Sequence, residues 1–408
     1  MISTVYIAKN VYGGDGLGRL GDGRVVFVPG AWEGEQVRAE IVEEKKHFVK
    51  ARLIEVVEKS PDRIESQSGP VVPGMVYAGL SYDGELRVKE RQLVDFFERA
   101  RIALPKTDGV LLVRGGSERN YRNKVVYHLG KKDGRWVIGY RLESSHEIVD
   151  VVEDPLASPE INAKLPEIRR AVMTLLTTGP ISVRRATEAK GELTIRWTKK
   201  SGVKWWLGAA PLDVVLKESA ADIDFEVPAG GFYQVNPEVG ERLVREVVDV
   251  IRANRNTVDQ VLDLYCGVGV FGISALHGDR GGLRLTGIES GRQAIDFARK
   301  NAAVLKRDQR EVRFFAEEVG RNLRRIAIGG RTAVIIDPPR DGLEKGVAKW
   351  LARSKAPLIV YVSCDPATLM RDLKEICAGQ YRVKTLRWFN MFPRTARFES
   401  MVVLEKQK

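Results

Sequence analysis

Three cysteines and four histidines in 408 residues leave little material for a metal centre or a disulfide framework. Cys266, Cys364 and Cys377 are spaced too widely for a zinc pattern. His47, His128, His146 and His277 never fall at the i, i+4 spacing of a helical metal pair, so no metal is expected. No apolar run approaches the ~18 residues of a membrane span, and the opening MISTVYIAKN lacks the charged-then-apolar texture of a signal peptide. These absences point to a soluble, cytoplasmic chain with free thiols and no membrane partner. Disorder is excluded too, because 44% hydrophobic content over this length supports about two or three packed cores. What is abundant is positive charge. Lys and Arg number 66 against 54 Asp and Glu, a formal net charge of +12, which suits an anionic partner and counterion release from phosphates. Nothing in the composition calls for an obligate protein partner.

The chain divides into three textures. Residues 1–60 carry period-two alternation, as in VRAEIV from Val37 to Val42, broken by glycine clusters such as GGDGLG. That pattern predicts a small OB-like barrel, a fold that commonly carries single-stranded nucleic acid. Lys45, Lys46, Lys50 and Arg52 either touch phosphate there or form a solvated basic edge. After SPDRIES (Ser60 to Ser66), read as a linker, residues 61–228 mix helix-like LRVKERQLVDFFERA with strand-like WVIGYRL and LTIRW. We expect a central α+β domain whose Tyr121, Arg122, Lys124, Trp197, Lys199, Lys200, Lys204, Trp205 and Trp206 form either an RNA-facing surface or, for the tryptophans, core. Residues 229–408 alternate strands and helices, the signature of a parallel, doubly wound α/β sheet with ligands at its carboxyl edge. RVKTLRWFNMFP and FESMVVLEK are expected to close it as an antiparallel pair.

Within that last region, DLYCGVGVF puts Gly267 and Gly269 between a hydrophobic strand and a helix, where backbone can approach a ligand. GVGVFG also satisfies the G-x-G-x-x-G template of a nicotinamide site, and a glycine turn that merely permits tight packing fits the same residues. Glu289 ends the next strand, placed to accept hydrogen bonds from ribose hydroxyls. AVIIDPPR then ends in Asp337, Pro338, Pro339 and Arg340, a carboxylate followed by a turn that two prolines stiffen.

DLYCGVGVF, GIES and IIDPPR together resemble the class I (Rossmann-like) methyltransferase fold, and specifically the RNA 5-methyluridine methyltransferase family. The likeness extends to YVSCDP, to FPRTARFE, to GGFYQVNP, and to residues 1–60, which look like the family's TRAM-type RNA-binding barrel. It implies S-adenosylmethionine as cofactor, a uridine in ribosomal or transfer RNA as substrate, and methylation at carbon 5. That carbon is a poor nucleophile, so the reaction needs a thiolate adding to carbon 6 and a base to remove the C5 proton. The resemblance assigns the thiolate to Cys364 and the base to Glu399. It gives cofactor contacts to Gln234, Tyr265, Gly267, Glu289 and Asp337, and substrate contacts to Phe232 and Arg340. Cys364 precedes a helix opened by Pro366, whose N-terminal dipole is expected to favour thiolate, although such a place also suits an inert cysteine. Cys266 and Cys377 are read as structural.

Some positions depart from the family's pattern. The stretch Gln67 to Gly84 has no cysteines where many members hold an iron–sulfur cluster, so no cluster is expected. Asp365 stands where Asn is usual, Arg394 and Arg397 where histidines are usual, and Val270 where a polar residue is common. Two rivals are weighed: a 5-methylcytidine enzyme, which typically has a second cysteine where DPPR stands here, and a catalytically idle RNA-binding protein.

Overall fold

The fold is that of a computed structural model, which describes all residues except 65–69, 106–108, 114, 143–144, 146, 180–190, 280, 309, 324–325, 327 and 408. Parts of the linker reading, of the cysteine-free stretch from Gln67 and of SSHEIVD, with His146, therefore lie outside the described residues.

Five strands at the N-terminus close into a barrel in the order Ile2–Asn10, Gly16–Arg19, Val25–Val28, Phe48–Glu58 and Gln36–Glu44, the last pairing back to the first. Alternation drives this, since Val5, Ile7, Val26, Val28, Val37, Ala39, Val49 and Ala51 all point into one core. Closure demands close strand approach at Gly18, where a Cβ would sit 2.4 Å from Val5 Cγ1 and 2.5 Å from the Tyr6 carbonyl oxygen. The basic edge is exposed and ion-paired: Lys45 and Lys50 pair with Glu43 at 3.0 and 3.1 Å, and Arg52 pairs with Glu40 at 2.5 Å. The cross-strand register, invisible in composition, brings Glu43 beside Lys50 and Glu40 beside Arg52, while Lys45 meets Glu43 two residues away along the chain.

The central sheet runs Gly202–Leu207, Glu192–Thr198, Lys124–Lys132, Arg135–Arg141, Ile148–Asp150, all antiparallel. Helix Pro159–Thr178 covers it with Ile161, Leu165, Ile168, Val172 and Leu176, a stripe at i, i+3 and i+4 spacing. Tyr121 and Trp206 are buried, so they are not base platforms, whereas Lys199, Lys204 and Trp205 stay exposed.

The catalytic sheet has eight strands, ordered Val312–Ala316, Arg284–Glu289, Gln260–Leu264, Thr332–Ile336, Leu358–Ser363, Glu399–Lys406, Tyr381–Phe389, Val110–Val113. The first five are parallel, and Glu399–Lys406 is inserted antiparallel to both its neighbours. The last two strands of the chain thus pair as expected, but they lie inside the sheet, because Val110–Val113 adds a further edge. Helix Pro237–Ala253 begins at the cap Asn236, with Pro237 in the first turn, and buries Val239, Leu243, Val244, Val247, Val248 and Ile251. Each such side chain contributes about 1.5–3 kcal/mol of burial.

One expected boundary does not follow the packing. Helix Tyr82–Ala100 is amphipathic as read, but its Leu86, Leu93 and Phe97 pack with Leu369, Leu373 and Ile376 of helix Pro366–Cys377, in the core of the catalytic sheet. The stretch 61–228 therefore divides, its first part serving the C-terminal sheet. Among the described residues, no helix is long and apolar enough to cross a membrane.

Candidate active site

The five parallel strands end on one edge, where their carboxyl ends and the loop before helix Pro237–Ala253 enclose a cavity of about 260 Å³. Gln234, Tyr265, Gly267, Glu289 and Asp337 line it, with Phe232 at its lip, 71% exposed. Register explains the grouping: Leu264 pairs with Ile288 on one side and Ile336 on the other, so Tyr265, Glu289 and Asp337 follow side by side. Tyr265 turns into the left-handed region (φ 61°), and so does Gly267 (φ 53°). A Cβ built on Gly267 would meet no protein atom within 4 Å, so its bare backbone faces open space. Glu289 Oε1 accepts from the Gly291 amide at 2.8 Å and the Ser290 hydroxyl at 3.0 Å, which fixes the carboxylate at the cavity wall.

Cys364 directly follows strand Leu358–Ser363, and Glu399 opens the neighbouring strand Glu399–Lys406. Ser363 pairs with Ser400, so the antiparallel register sets Cys364 opposite Glu399 one step further on. Glu399 is buried and Cys364 half-buried. Burial pushes the Cys364 thiol up to about 12, reinforced by the charges of Glu399 and Asp337 and opposed by Arg340. Burial and the Asp337 charge likewise hold the Glu399 carboxyl well above the usual carboxylate range, while burial alone raises Asp337 to about 7. Arg340 closes the group: its carbonyl accepts from the Thr368 hydroxyl at 3.1 Å on the helix that follows Cys364. Two carboxyls and a thiol thus share one enclosed field, which a cation entering the cavity would relieve.

The expected help from the helix dipole fails. Asp365 caps helix Pro366–Cys377, its Oδ1 accepting from the Ala367 and Thr368 amides at 2.9 and 3.2 Å. Those donors are consumed, and the thiol lies beside a carboxylate instead. Asp365 Oδ2 accepts from Arg397 Nη1 at 3.0 Å, so two departures from the resembled pattern meet as an ion pair.

Three supports were missed in the sequence. Arg196, 1% exposed, donates to the carbonyls of Ala229 (3.3 Å) and Gly231 (3.0 Å) and to Glu218 Oε1 (3.0 Å), holding the loop of Phe232 and Gln234. An arginine inside the apolar run LTIRW was the available signal. Lys89, fully buried on helix Tyr82–Ala100, donates to Glu85 and Asn390, both at 2.7 Å, and to the Phe392 carbonyl. Glu85 in turn accepts from the Arg394 amide at 3.0 Å, so this helix clamps the loop leading to Glu399. Asp263, buried beneath the glycine loop, accepts from the Gly272 amide at 2.9 Å, and burial raises it to about 7. Cys266 is buried against the cavity, with its thiol raised by that burial; Cys377 packs half-buried on the far core. Among the described residues, no group of three or more His, Cys, Asp or Glu could hold a metal ion.

A parallel sheet with a glycine loop, an acidic residue ending the next strand and a carboxylate at the end of the fourth defines a class I methyltransferase fold. The profile of the tRNA (Uracil-5-)-methyltransferase family matches residues 188–407, and that of the TRAM domain residues 4–54. The chain belongs to this family and is an S-adenosylmethionine-dependent RNA uracil-5-methyltransferase with a TRAM barrel. It is 30% identical to a protein of Streptomyces coelicolor called an uncharacterized RNA methyltransferase, across 98% of this chain and 92% of the relative. It is 29% identical to the 23S rRNA (uracil(1939)-C(5))-methyltransferase RlmD of Pseudomonas entomophila, across 96% and 91%. The crystal structure of the Pyrococcus abyssi tRNA (uracil-54, C5)-methyltransferase in complex with S-adenosyl-L-homocysteine shares the fold, with a TM-score of 0.72 at 24% identity over 98% of this chain and 100% of that one.

Proposed function

We propose that this chain methylates carbon 5 of a uridine in a structured RNA, ribosomal or transfer, through a transient bond between Cys364 Sγ and carbon 6 of the base. Gln234, Tyr265, Gly267, Glu289 and Asp337 would hold the cofactor, Glu289 at ribose hydroxyls and the Gly267 backbone in close contact. S-adenosylmethionine, when bound, supplies a methyl group on a positively charged sulfonium. That charge suits the donor set, since enclosed Asp337 and Glu399 are hard to ionise without a cation nearby. Phe232, exposed at the lip, offers a face to the target base, and Arg340 a charge to its carbonyls or phosphate.

In this mechanism Cys364 first gives up its proton to solvent, and its sulfur forms a bond to carbon 6, moving the C5–C6 electron pair toward an enolate. Carbon 5 would then take the methyl group as the bond from that methyl to the sulfonium sulfur breaks, leaving S-adenosyl-L-homocysteine. Glu399 removes the C5 proton, the C5–C6 double bond returns, and the sulfur leaves as thiolate. One observation carries the reading: Cys364 follows strand Leu358–Ser363, Glu399 opens the strand paired with it, and the thiol feels the charges of both Glu399 and the cavity-lining Asp337.

The RNA would run across the barrel and the exposed Lys199, Lys204 and Trp205. A ribosomal acceptor is favoured by the relatives named for uracil 1939 of 23S rRNA, and a transfer RNA acceptor by the family's description. The mechanism is tested by tritium release from RNA labelled at uridine carbon 5. Cys364→Ala should abolish release while Cys266→Ala keeps most of it; equal losses would overturn the assignment. Mapping methylated uridines by mass spectrometry, with and without the gene, identifies the acceptor.

A further inference from the structure

Tyr12, just past the end of a barrel strand, reaches the catalytic sheet. Tyr12 follows strand Ile2–Asn10, in a turn anchored from helix Tyr82–Ala100, where Gln92 Nε2 donates to the Val11 carbonyl at 2.7 Å and Lys9 pairs with Asp95 at 2.5 Å. Its ring stacks edge-on against Phe96 of that helix (5.5 Å) and Phe398, the neighbour of Glu399 (5.9 Å). Its hydroxyl accepts from Arg397 Nη1 at 2.9 Å, and the same nitrogen donates to Asp365 at 3.0 Å. The Arg397 guanidinium also lies over the Tyr12 ring, 5.6 Å from its centre. Asp365 is bonded in sequence to Cys364, and Arg397 lies two residues before Glu399.

We infer that Tyr12 is a positioning residue of the active site: through Arg397 it holds Asp365 against the loop of Cys364, so the N-terminal barrel sets the geometry and acidity of the nucleophile. The inference rests on the reading of Cys364 as the nucleophile. The charges facing that sulfur are Glu399 on the paired strand, Asp337 and Arg340 on the adjoining strand end, Asp365 next in the chain, and the phenol of Tyr12. Asp365 disfavours thiolate, and Arg397 offsets it. Freeing Asp365 from its cation should therefore raise the thiol, and neutralising both partners should restore it.

The test is the rate of iodoacetamide alkylation at Cys364 at a fixed pH of about 8.5, near the ordinary thiol value, in the full chain carrying Cys266→Ala and Cys377→Ala. Arg397→Gln should slow that rate roughly tenfold. Arg397→Gln with Asp365→Asn, in which Asn still caps the helix, should return it to within about threefold of the parent. Tyr12→Phe, which keeps the ring packing, should lower kcat for RNA methylation about three- to tenfold with KM for RNA nearly unchanged. An unchanged alkylation rate in Arg397→Gln, a double variant no better than the single, or a Tyr12→Phe effect confined to KM would each overturn the inference. Alkylation does not require turnover, so these outcomes stand apart from the Cys364→Ala test, whose failure would sink the nucleophile itself.

Discussion

On the barrel surface, Lys45, Lys50 and Arg52 stand in solvent beside Glu43 and Glu40 at 2.5–3.1 Å. At the mouth of the catalytic sheet, Asp337 and Glu399 are enclosed, with Arg340 as the opposing charge. The first arrangement balances charge locally and screens easily; exposed pairs of this kind contribute about 0–1 kcal/mol. The second holds carboxyls away from water, so their protonation responds strongly to a cation or a lost neighbour. Function therefore concentrates where charge is uncomfortable.

The sharpest way to break this contrast is Glu399→Gln, which keeps the side chain's size but removes the base. Turnover should fall about 10²–10⁴-fold, with protein–RNA adduct accumulating on denaturing gels; a loss without adduct would mean that Glu399 acts before the carbon–sulfur bond forms. Next comes Lys89→Met, which leaves buried Glu85 with only the more distant Arg394, at 3.8 Å, as cation. It should cost about 3–5 kcal/mol in urea denaturation, and a loss below about 1 kcal/mol would show that this pair behaves like a surface one. A smaller effect is expected from Asp263→Asn. Asp263 keeps its proton up to about pH 7 in the fold, against an ordinary value of 3.8. The folded state thus binds the proton more tightly than the unfolded chain, so its contribution is fully present below the ordinary value and is lost as pH rises toward 7. The thermal stability of Asp263→Asn relative to the parent should therefore improve from about pH 4 to pH 7 and then level off; a flat difference would contradict the raised value. Least affected should be Arg52→Ala, which should change stability by less than about 1 kcal/mol and act, if anywhere, on RNA affinity at low salt.

The same contrast accounts for what was legible in the sequence. The cofactor half of the crevice is written in short runs, DLYCGVGVF, GIES and IIDPPR, because parallel strands deliver their C-terminal ends to one edge whatever the rest does. Helix Tyr82–Ala100 was legible as amphipathic, but its apolar stripe does not say which core receives it. Supports for the acceptor half come from far apart: Lys89 and Asn390 are 301 positions apart, Tyr12 and Arg397 are 385. Local pattern carries no trace of such pairings. The thiolate expected at the helix start is opposed first by burial of the thiol and then by the carboxylates of Glu399, Asp337 and Asp365, none of which the local run VSCDP discloses as neighbours except Asp365. The barrel cations were legible as residue types, while their neutralisation depends on which glutamate the register sets beside them.

Carbon–sulfur bond formation is most directly tested with RNA containing 5-fluorouridine, where fluorine at carbon 5 leaves no proton for a base to remove. Incubated with S-adenosylmethionine, the protein should gain the mass of the RNA and the methyl group, and peptide sequencing should locate the link at Cys364, with none formed by Cys364→Ala. A link at another residue, or active protein that forms no covalent complex with this RNA, would contradict the account.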